Sequence, residues 1–124
     1  MFREKEVSTR LIRPVFPEIN LDKLMLFVDR WNPDWEIDAS IQIFDEGIAQ
    51  YMLVDPESHY KYYAAVILGK PSIRCKIIDD EPHDFLDDVG NKFAVVCKGA
   101  MSGDDEKRVD YLKNVLNKRG YRFL

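Results

Sequence analysis

The chain contains 124 residues, of which 46% are hydrophobic and 12% aromatic, and its 18 basic and 22 acidic side chains give a formal net charge of −4. An apolar content of this size supplies a hydrophobic core, which excludes an intrinsically disordered chain and makes a metal or disulfide staple unnecessary for folding. The acidic balance argues against direct binding of nucleic acid, because proteins that coat nucleic acids carry strongly basic surfaces. We therefore expect a single globular domain over residues 1–124.

Neither a signal peptide nor a membrane span is expected from the sequence. The first ten residues carry five charged side chains, and no apolar segment follows them before Pro14. The longest apolar run covers residues 62–68, which is far shorter than the roughly 20 residues that a bilayer crossing requires. Cys75 and Cys97 lie among aliphatic residues, where a reduced thiol packs as a small hydrophobic group. These features predict a cytoplasmic protein with buried, reduced cysteines and no membrane partner.

The N-terminal quarter predicts a strand followed by a helix. Residues 7–16 are rich in β-branched and basic side chains, which indicates a strand, and Pro14 restricts it to a sheet edge because proline lacks a backbone N–H donor. Asn20 is a favoured N-cap, and the apolar residues after it recur with helical spacing until an Asn-Pro pair ends the pattern. We therefore predict a helix over residues 21–31.

The next segment predicts a β-hairpin. Isoleucine and alanine alternate with polar residues over 37–43, as in a half-buried strand, and residues 48–54 return as its partner. Residues 45–47, with the sequence Asp-Glu-Gly, supply a three-residue loop in which the glycine takes a left-handed conformation. A helix through residues 41–52 is the alternative, but its internal glycine would cost about 1 kcal/mol relative to alanine.

A second helix is predicted directly after the hairpin. Asp55 is a suitable N-cap, and Pro56 occupies the first helical position, where its missing N–H is tolerated. Gly69 ends the pattern. A strand over residues 62–68 remains open as an alternative, because a short apolar run does not distinguish the two structures.

The remainder of the chain predicts two buried strands and a final helix. Residues 72–78 and 92–98 have the aliphatic content of buried strands. Ser102 is a potential N-cap of a helix that carries one apolar face and ends at Gly120. The last four residues could add a short edge strand or remain irregular.

The predicted element order is β-α-β-β-α-β followed by β-α. The first six elements follow the ferredoxin-like order, in which helices cover one face of an antiparallel sheet. We therefore predict an α+β fold with a mainly antiparallel sheet and helices packed on one face. The aliphatic positions of the predicted strands and the final helix should form one core, made of Ile41, Ile43, Ile73, Cys75, Ile77, Val95 and Leu112.

No catalytic or metal-binding motif is complete in the sequence. The acidic segment 79–88 contains a histidine but lacks the alternating acids and central glycine of a calcium loop, so we interpret it as a solvated connection. Asp55, Ser58 and His59 lie on one helical turn, where side chains diverge and cannot form a triad. We interpret the first two as helix caps beside an exposed histidine. The loop 98–103 precedes a helix whose first turn is acidic and would repel a phosphate. No cofactor and no metal are therefore expected.

Acidic residues are concentrated in two segments. Residues 33–60 contain seven acids and residues 79–91 contain six, with no lysine or arginine in either segment. The two segments together carry a charge of −13, against +9 for the rest of the chain. Such asymmetry favours a basic partner or the basic face of a second copy, although acids in turns also serve solubility.

Two tryptophans flank the start of the first acidic segment, at the predicted corner between helix and strand. Tryptophan and tyrosine anchor many protein interfaces, although such rings are also often core residues. We therefore predict a small non-enzymatic binding protein of the inhibitor, immunity or regulatory type, with a basic protein or a second copy as its partner. The predicted binding residues are Trp31, Asp34, Trp35, Glu36, Asp38, Tyr60 and Tyr62. The alternative is a small enzyme or small-ligand-binding domain whose site, with or without a metal, includes residues 79–88.

Overall fold

The structure is a computed structural model that describes residues 3–16, 18–79, 94–99 and 103–123, and within 94–98 it describes the side chain of Cys97 only. A turn of 3-10 helix at Thr9–Leu11 lies between the first two strands. The described elements, in chain order, are β1 (Arg3–Ser8), β2 (Ile12–Arg13), β3 (Glu18–Asn20), α1 (Leu21–Asp29), α2 (Asp34–Ile37), β4 (Ile41–Gly47), β5 (Gln50–Leu53), α3 (Pro56–Ile67), β6 (Ser72–Ile78), β7 (Ala94–Lys98), α4 (Asp104–Lys118) and β8 (Arg122–Phe123).

In the described residues the strands form two sheets, and the α+β class is confirmed. The larger sheet has the order β1-β6-β4-β5-β2, and the smaller has the order β3-β7-β8. In the larger sheet β1 pairs with β6 and β4 with β5 in antiparallel fashion, whereas β4 pairs with β6 and β2 with β5 in parallel. The sheet is therefore mixed, whereas the sequence predicted a mainly antiparallel one.

The ferredoxin-like topology is not confirmed, because the predicted first strand over 7–16 is divided. The Ser8 side chain accepts a hydrogen bond from the backbone N–H of Arg10, which turns the chain into the 3-10 segment. As a result β1 and β2 lie at opposite edges of the larger sheet. The short strand β3, which was not predicted, then leaves this sheet and pairs with β7.

The predicted core is present in the described part of the chain. Val95 was also expected in it, but its side chain lies outside the described residues. The other predicted members are buried in one hydrophobic cluster: Ile41, Ile43, Ile73, Cys75, Ile77 and Leu112.

The hairpin of β4 and β5 is confirmed, but its turn lies at residues 48–49 and not at the predicted residues 45–47. Strand β4 continues through Gly47, and the chain reverses at Ile48 and Ala49, whose φ angles are 48° and 56°. Positive φ at both central residues is typical of a type I′ turn, whose twist matches the flanking strands. This conformation is unfavourable for a β-branched residue, and the Ile48 side chain is 95% exposed.

The strand predicted to begin at Ile37 begins at Ile41 instead. The side chain of Asn32 accepts a hydrogen bond from the backbone N–H of Asp34, at a distance of 2.9 Å, and the next four residues form the helical turn α2. Ala39, with a φ of 49°, ends this turn before the strand starts. A local turn, closed by the Asn32 side chain on the backbone, therefore overrides the alternating pattern.

The long helices follow their predicted caps, with one exception. The Asn20 side chain accepts from the backbone N–H of Lys23 at the start of α1, and Asp55 accepts from that of Ser58 at the start of α3. The strand alternative for 62–68 is therefore wrong. Helix α4 is preceded by Gly103, which provides no side-chain cap, and the predicted cap Ser102 lies outside the described residues.

Candidate functional site

Four aromatic rings form a continuous row where α1, α2 and α3 meet. The ring centroids of Tyr60 and Phe27 are 5.6 Å apart, those of Phe27 and Trp35 are 5.5 Å apart, and those of Trp35 and Trp31 are 5.1 Å apart. The two tryptophans meet edge to face, an arrangement that the charge distribution of aromatic rings favours. We call these four residues the aromatic corner. All four are partly exposed, so the row borders solvent.

Hydrogen bonds position the corner at Tyr60 and at Trp35. The hydroxyl of Tyr60, at one end of the row, accepts from the backbone N–H of Asn20, at 3.0 Å, which ties α3 to the start of α1. At Trp35, within the row, the backbone N–H and the hydroxyl of Ser40 both donate to the carbonyl oxygen of Trp35. These bonds fix the backbone on either side of the rings, so the corner is preorganised.

Three lysine ammonium groups lie over rings of the corner. Lys23 is 5.0 Å from the centroid of Tyr60, Lys61 is 5.0 Å from that of Trp35, and Lys70 is 5.3 Å from that of Trp31. Lysine over an aromatic face is stabilised by about 0.5–2 kcal/mol, depending on desolvation. The rings are therefore already in contact with cations from the chain itself.

The most buried of these cations is Lys61. Its side chain is only 6% exposed, and its ammonium group donates to the hydroxyl of Ser40, at 3.1 Å. The same group is 3.4 Å from a carboxylate oxygen of the exposed Glu57. Both the ammonium group and the Trp35 ring beside it are thereby held in place.

The predicted acidic residues lie next to the rings, on α2 and just after it. Glu36 forms an ion pair with Lys70 at 3.1 Å, and both side chains are about half-buried. Asp34 and Asp38 are exposed and form no ion pair within the described residues. Ile37, between them, is 69% exposed. The structure therefore brings Trp31, Asp34, Trp35, Glu36, Asp38 and Tyr60 to one region.

Tyr62 does not belong to this surface. Its side chain has no exposed area, and its hydroxyl accepts a hydrogen bond from Arg119 at 2.8 Å. Burial raises the pKa of Tyr62, and the Arg119 guanidinium opposes this shift. Residues two positions apart on a helix point in different directions, so Tyr60 and Tyr62 cannot share a face. The prediction that Tyr62 contacts a partner at this surface is therefore wrong for this structure.

His59 is buried, whereas the sequence predicted an exposed side chain. Its Nε2 accepts from the backbone N–H of Val15 at 2.9 Å, and its Nδ1 lies 2.7 Å from the carbonyl oxygen of Asp55. Burial lowers the pKa of His59 to about 4, although the bond to Asp55 opposes the shift. The signal for burial was present, since His59 shares a helix face with Tyr63 and Val66.

Other candidates from the sequence do not converge on a site in the described residues. The hydroxyl of Ser58 donates to the side chain of Asp55 and accepts from the backbone N–H of Gln42, which leaves His59 out of the arrangement. Asp79 is exposed and lies 3.8 Å from Arg3, and residues 80–93 lie outside the described part of the chain. Within that part, no group of three or more His, Cys, Asp or Glu side chains is placed to hold a metal ion.

The two cysteines are free thiols in different environments. Cys75 is buried, as predicted, and burial raises its pKa to about 12. Cys97 is only half-buried, and desolvation raises its pKa while Lys113 opposes the shift. A raised pKa keeps a thiol protonated at neutral pH, and the thiolate is the nucleophilic form. Neither cysteine has the environment of a catalytic nucleophile.

In the described residues, no helix has both the length and the apolar character that a bilayer crossing requires.

The chain matches no known protein-family model and no curated protein sequence. Among solved structures, part of it is similar to "SbnI with C-terminal truncation from Staphylococcus aureus", with 17% sequence identity and a TM-score of 0.42. The similar region covers 63% of this chain and 30% of that one. A likeness this weak supports no conclusion about either fold or function.

Proposed function

We propose that this chain is a small non-enzymatic protein that binds a basic protein partner through the aromatic corner and the acidic residues of α2. The observation that carries the proposal is the partly exposed row of four rings beside two exposed carboxylates, which form no ion pair with any described residue. Aromatic rings supply large contact areas at low entropic cost, and interfaces are enriched in them. We further propose a cytoplasmic location, because both cysteines are free.

The charges of the corner suit a basic partner. Lys61 and Lys70 are engaged with Glu57 and Glu36, so in the part of the chain that the structure describes the carboxylates of Asp34 and Asp38 form no ion pair at the rim. Complementary charge at a rim mainly accelerates the encounter of two proteins, whereas desolvated rings at the centre slow their separation. A partner with arginine or lysine around an apolar patch would match both features.

The test uses the chain as bait in an extract of its native cells, together with variants that separate charge from ring contact. Asp34→Lys with Asp38→Lys reverses the rim charge, and Glu106→Lys with Asp110→Lys makes the same change in net charge on the exposed face of α4. Trp35→Ala removes a ring from the corner. A captured protein is then purified, and its binding rates are measured against each variant.

We expect the variant with Asp34→Lys and Asp38→Lys to associate about tenfold more slowly and with a weaker salt dependence of the association rate. Trp35→Ala should cost about 2 kcal/mol of binding free energy, mainly through faster dissociation. The α4 control should bind like the original chain, and melting curves should show that every variant is folded. A partner that binds the corner variants as tightly as the original chain would refute the proposal.

The second candidate function, a small enzyme or small-ligand-binding domain at residues 79–88, rests on the acidic composition of that segment. Of these residues only Asp79 is described. A drop in melting temperature on addition of EDTA would support a metal at this segment, because metal binding stabilises the folded state.

A further inference from the structure

A second region of the molecule, lined by residues outside the two acidic segments, forms a basic cleft of about 920 Å³. Its walls come from the 3-10 turn, from the C-terminal end of α3 with the turn after it, and from the C-terminal half of α4. Four cationic side chains line it: Arg10, Lys70, Lys118 and Arg119. Among the described residues that line the cleft, none is an aspartate or glutamate.

Arg119 is fixed in place by neutral groups. Its guanidinium donates to the backbone carbonyl of Thr9 at 2.9 Å and to the hydroxyl of Tyr62 at 2.8 Å. Within the described residues it forms no ion pair with a carboxylate. The cleft therefore contains a preorganised positive charge that no acid of the described chain neutralises.

Two further cations in the cleft are free to bind. Arg10 and Lys118 are exposed, and neither side chain forms a hydrogen bond or an ion pair within the described residues. Lys70 is different, because its ammonium group is paired with Glu36. The available charge of the cleft thus comes from Arg10, Lys118 and Arg119.

Stabilisation of helix dipoles explains only part of this arrangement. Lys118 lies in the last turn of α4, where a cation offsets the partial negative charge of the helix end. Arg10, in contrast, lies on the 3-10 turn, and the guanidinium of Arg119 is directed to Thr9 and Tyr62. Cations from two segments that are about a hundred residues apart in sequence face one cavity.

Cations facing a cavity favour an anionic ligand, and the rest of the lining indicates which kind of anion would fit. Val66 and Val115 supply aliphatic walls, Tyr111 is 48% exposed at the cleft, and Thr9 carries a hydroxyl. Guanidinium groups match phosphate oxygens in a bidentate geometry, and ligand sites combine apolar walls with a few charged groups. We propose that the basic cleft binds a small phosphomonoester that carries an aromatic or aliphatic body.

The test measures binding of phenyl phosphate and of inorganic phosphate to the whole chain by calorimetry and by amide chemical shifts. Arg10→Gln with Lys118→Gln removes the two free cations of the cleft. Arg30→Gln with Lys107→Gln removes two exposed cations that do not line it, so the net charge is matched. Lys107 lies roughly 16 Å from Lys118 along α4, at the helical rise of about 1.5 Å per residue.

We expect phenyl phosphate to bind with a dissociation constant of about 1 mM or lower, and more tightly than inorganic phosphate because of the apolar walls. Shift changes should map to Thr9, Gly69 and Arg119. The cleft variant should bind at least about tenfold more weakly, because each charge-assisted hydrogen bond is strong. The matched control should change affinity by less than about twofold, because exposed charges beyond the screening length contribute little.

Three results would overturn the proposal. One is the absence of phenyl phosphate binding to the original chain. Another is an equal loss of affinity in the cleft variant and the matched control, which would indicate attraction by the overall charge. The third is equal affinity for phenyl phosphate and inorganic phosphate, which would show that the walls contact no ligand body.

Discussion

The aromatic corner and the basic cleft differ in which charges are left without a partner. In the corner, Lys61 and Lys70 contact rings and glutamates, whereas Asp34 and Asp38 are exposed and form no ion pair among the described residues. In the cleft, the described lining has no acid, and of its four cations Lys70 alone forms an ion pair within the described residues, with Glu36. What decides the character of each surface is the pairing of its side chains.

Lys70 and helix α3 contribute to both regions. The ammonium group of Lys70 contacts Glu36 and the ring of Trp31 in the corner, and Lys70 also lines the cleft. Helix α3 lies between them as well, with Tyr60 in the corner and Val66 in the cleft wall. A change on this helix or at Lys70 should therefore affect both surfaces, whereas a change on α4 should affect the cleft first.

The largest expected effect is on the stability of the protein, through the core residue Leu112 on α4, the helix that lines the cleft and not the corner. Leu112 is 1% exposed, and its truncation in Leu112→Ala should lower the free energy of unfolding by about 2–5 kcal/mol, because a cavity replaces packed atoms. Urea denaturation measures this change. Tyr111→Ala, at the neighbouring exposed position, should change stability by less than about 0.5 kcal/mol. A loss below about 1 kcal/mol for Leu112→Ala would show that α4 does not dock as described.

Acidification should lower the stability of the protein through His59, which lies on α3, the helix that contributes to both regions. The pKa of His59 is about 4 in the folded protein, against an ordinary value of 6.5. Below pH 6.5 the unfolded chain therefore takes up a proton that the folded chain does not accept until about pH 4. The free energy of unfolding should fall between these pH values by up to about 3 kcal/mol.

Denaturation curves at several pH values, compared with those of His59→Gln, test the role of this histidine. Glutamine does not titrate, so the variant should lack this part of the pH dependence while other groups contribute equally to both proteins. Parallel pH profiles for the two proteins would contradict the assignment of a neutral, buried His59.

A smaller effect is expected where the cleft is fixed to the body of the protein. Arg119→Met removes donors to the Thr9 carbonyl and the Tyr62 hydroxyl. Loss of these bonds should lower stability by about 1–3 kcal/mol, since hydrogen bonds from a charged donor are stronger than the Tyr62–Thr9 bond that remains. Lys118→Met, at the adjacent exposed position, should stay within about 0.5 kcal/mol of the original chain. Equal effects in thermal denaturation would mean that Arg119 does not anchor the cleft.

The sequence was most informative where structure depends on neighbouring residues. Asn20 and Asp55 cap helices as predicted, because a cap is satisfied within three residues. The alternation at Ile41 and Ile43 identified a strand with one buried face. The closeness of Trp31 and Trp35 to Asp34, Glu36 and Asp38 could also be predicted, since these residues lie within a few positions of each other in the sequence.

Features that depend on residues far apart in the sequence could not be predicted in the same way. The parallel pairings of β3 and β8 with β7 are set by packing, and no local pattern encodes them. His59 appeared polar and exposed, yet a backbone N–H from Val15 satisfies it in the interior. The basic cleft assembles from three separate segments whose cations are unremarkable individually.

The smallest expected effect lies at the boundary between the two regions. Lys70→Met removes the ion pair with Glu36, which is partly exposed and should contribute less than about 1 kcal/mol to stability. Because Glu36 then joins the unpaired carboxylates, the corner becomes more negative, and association with a basic partner should accelerate, about twofold to fivefold at low salt. Phenyl phosphate binding should weaken by about twofold or less, because Lys70 is already engaged with Glu36. Kinetic binding assays and calorimetry on this one variant therefore measure both regions, and a shift in the same direction at both sites would contradict this electrostatic account.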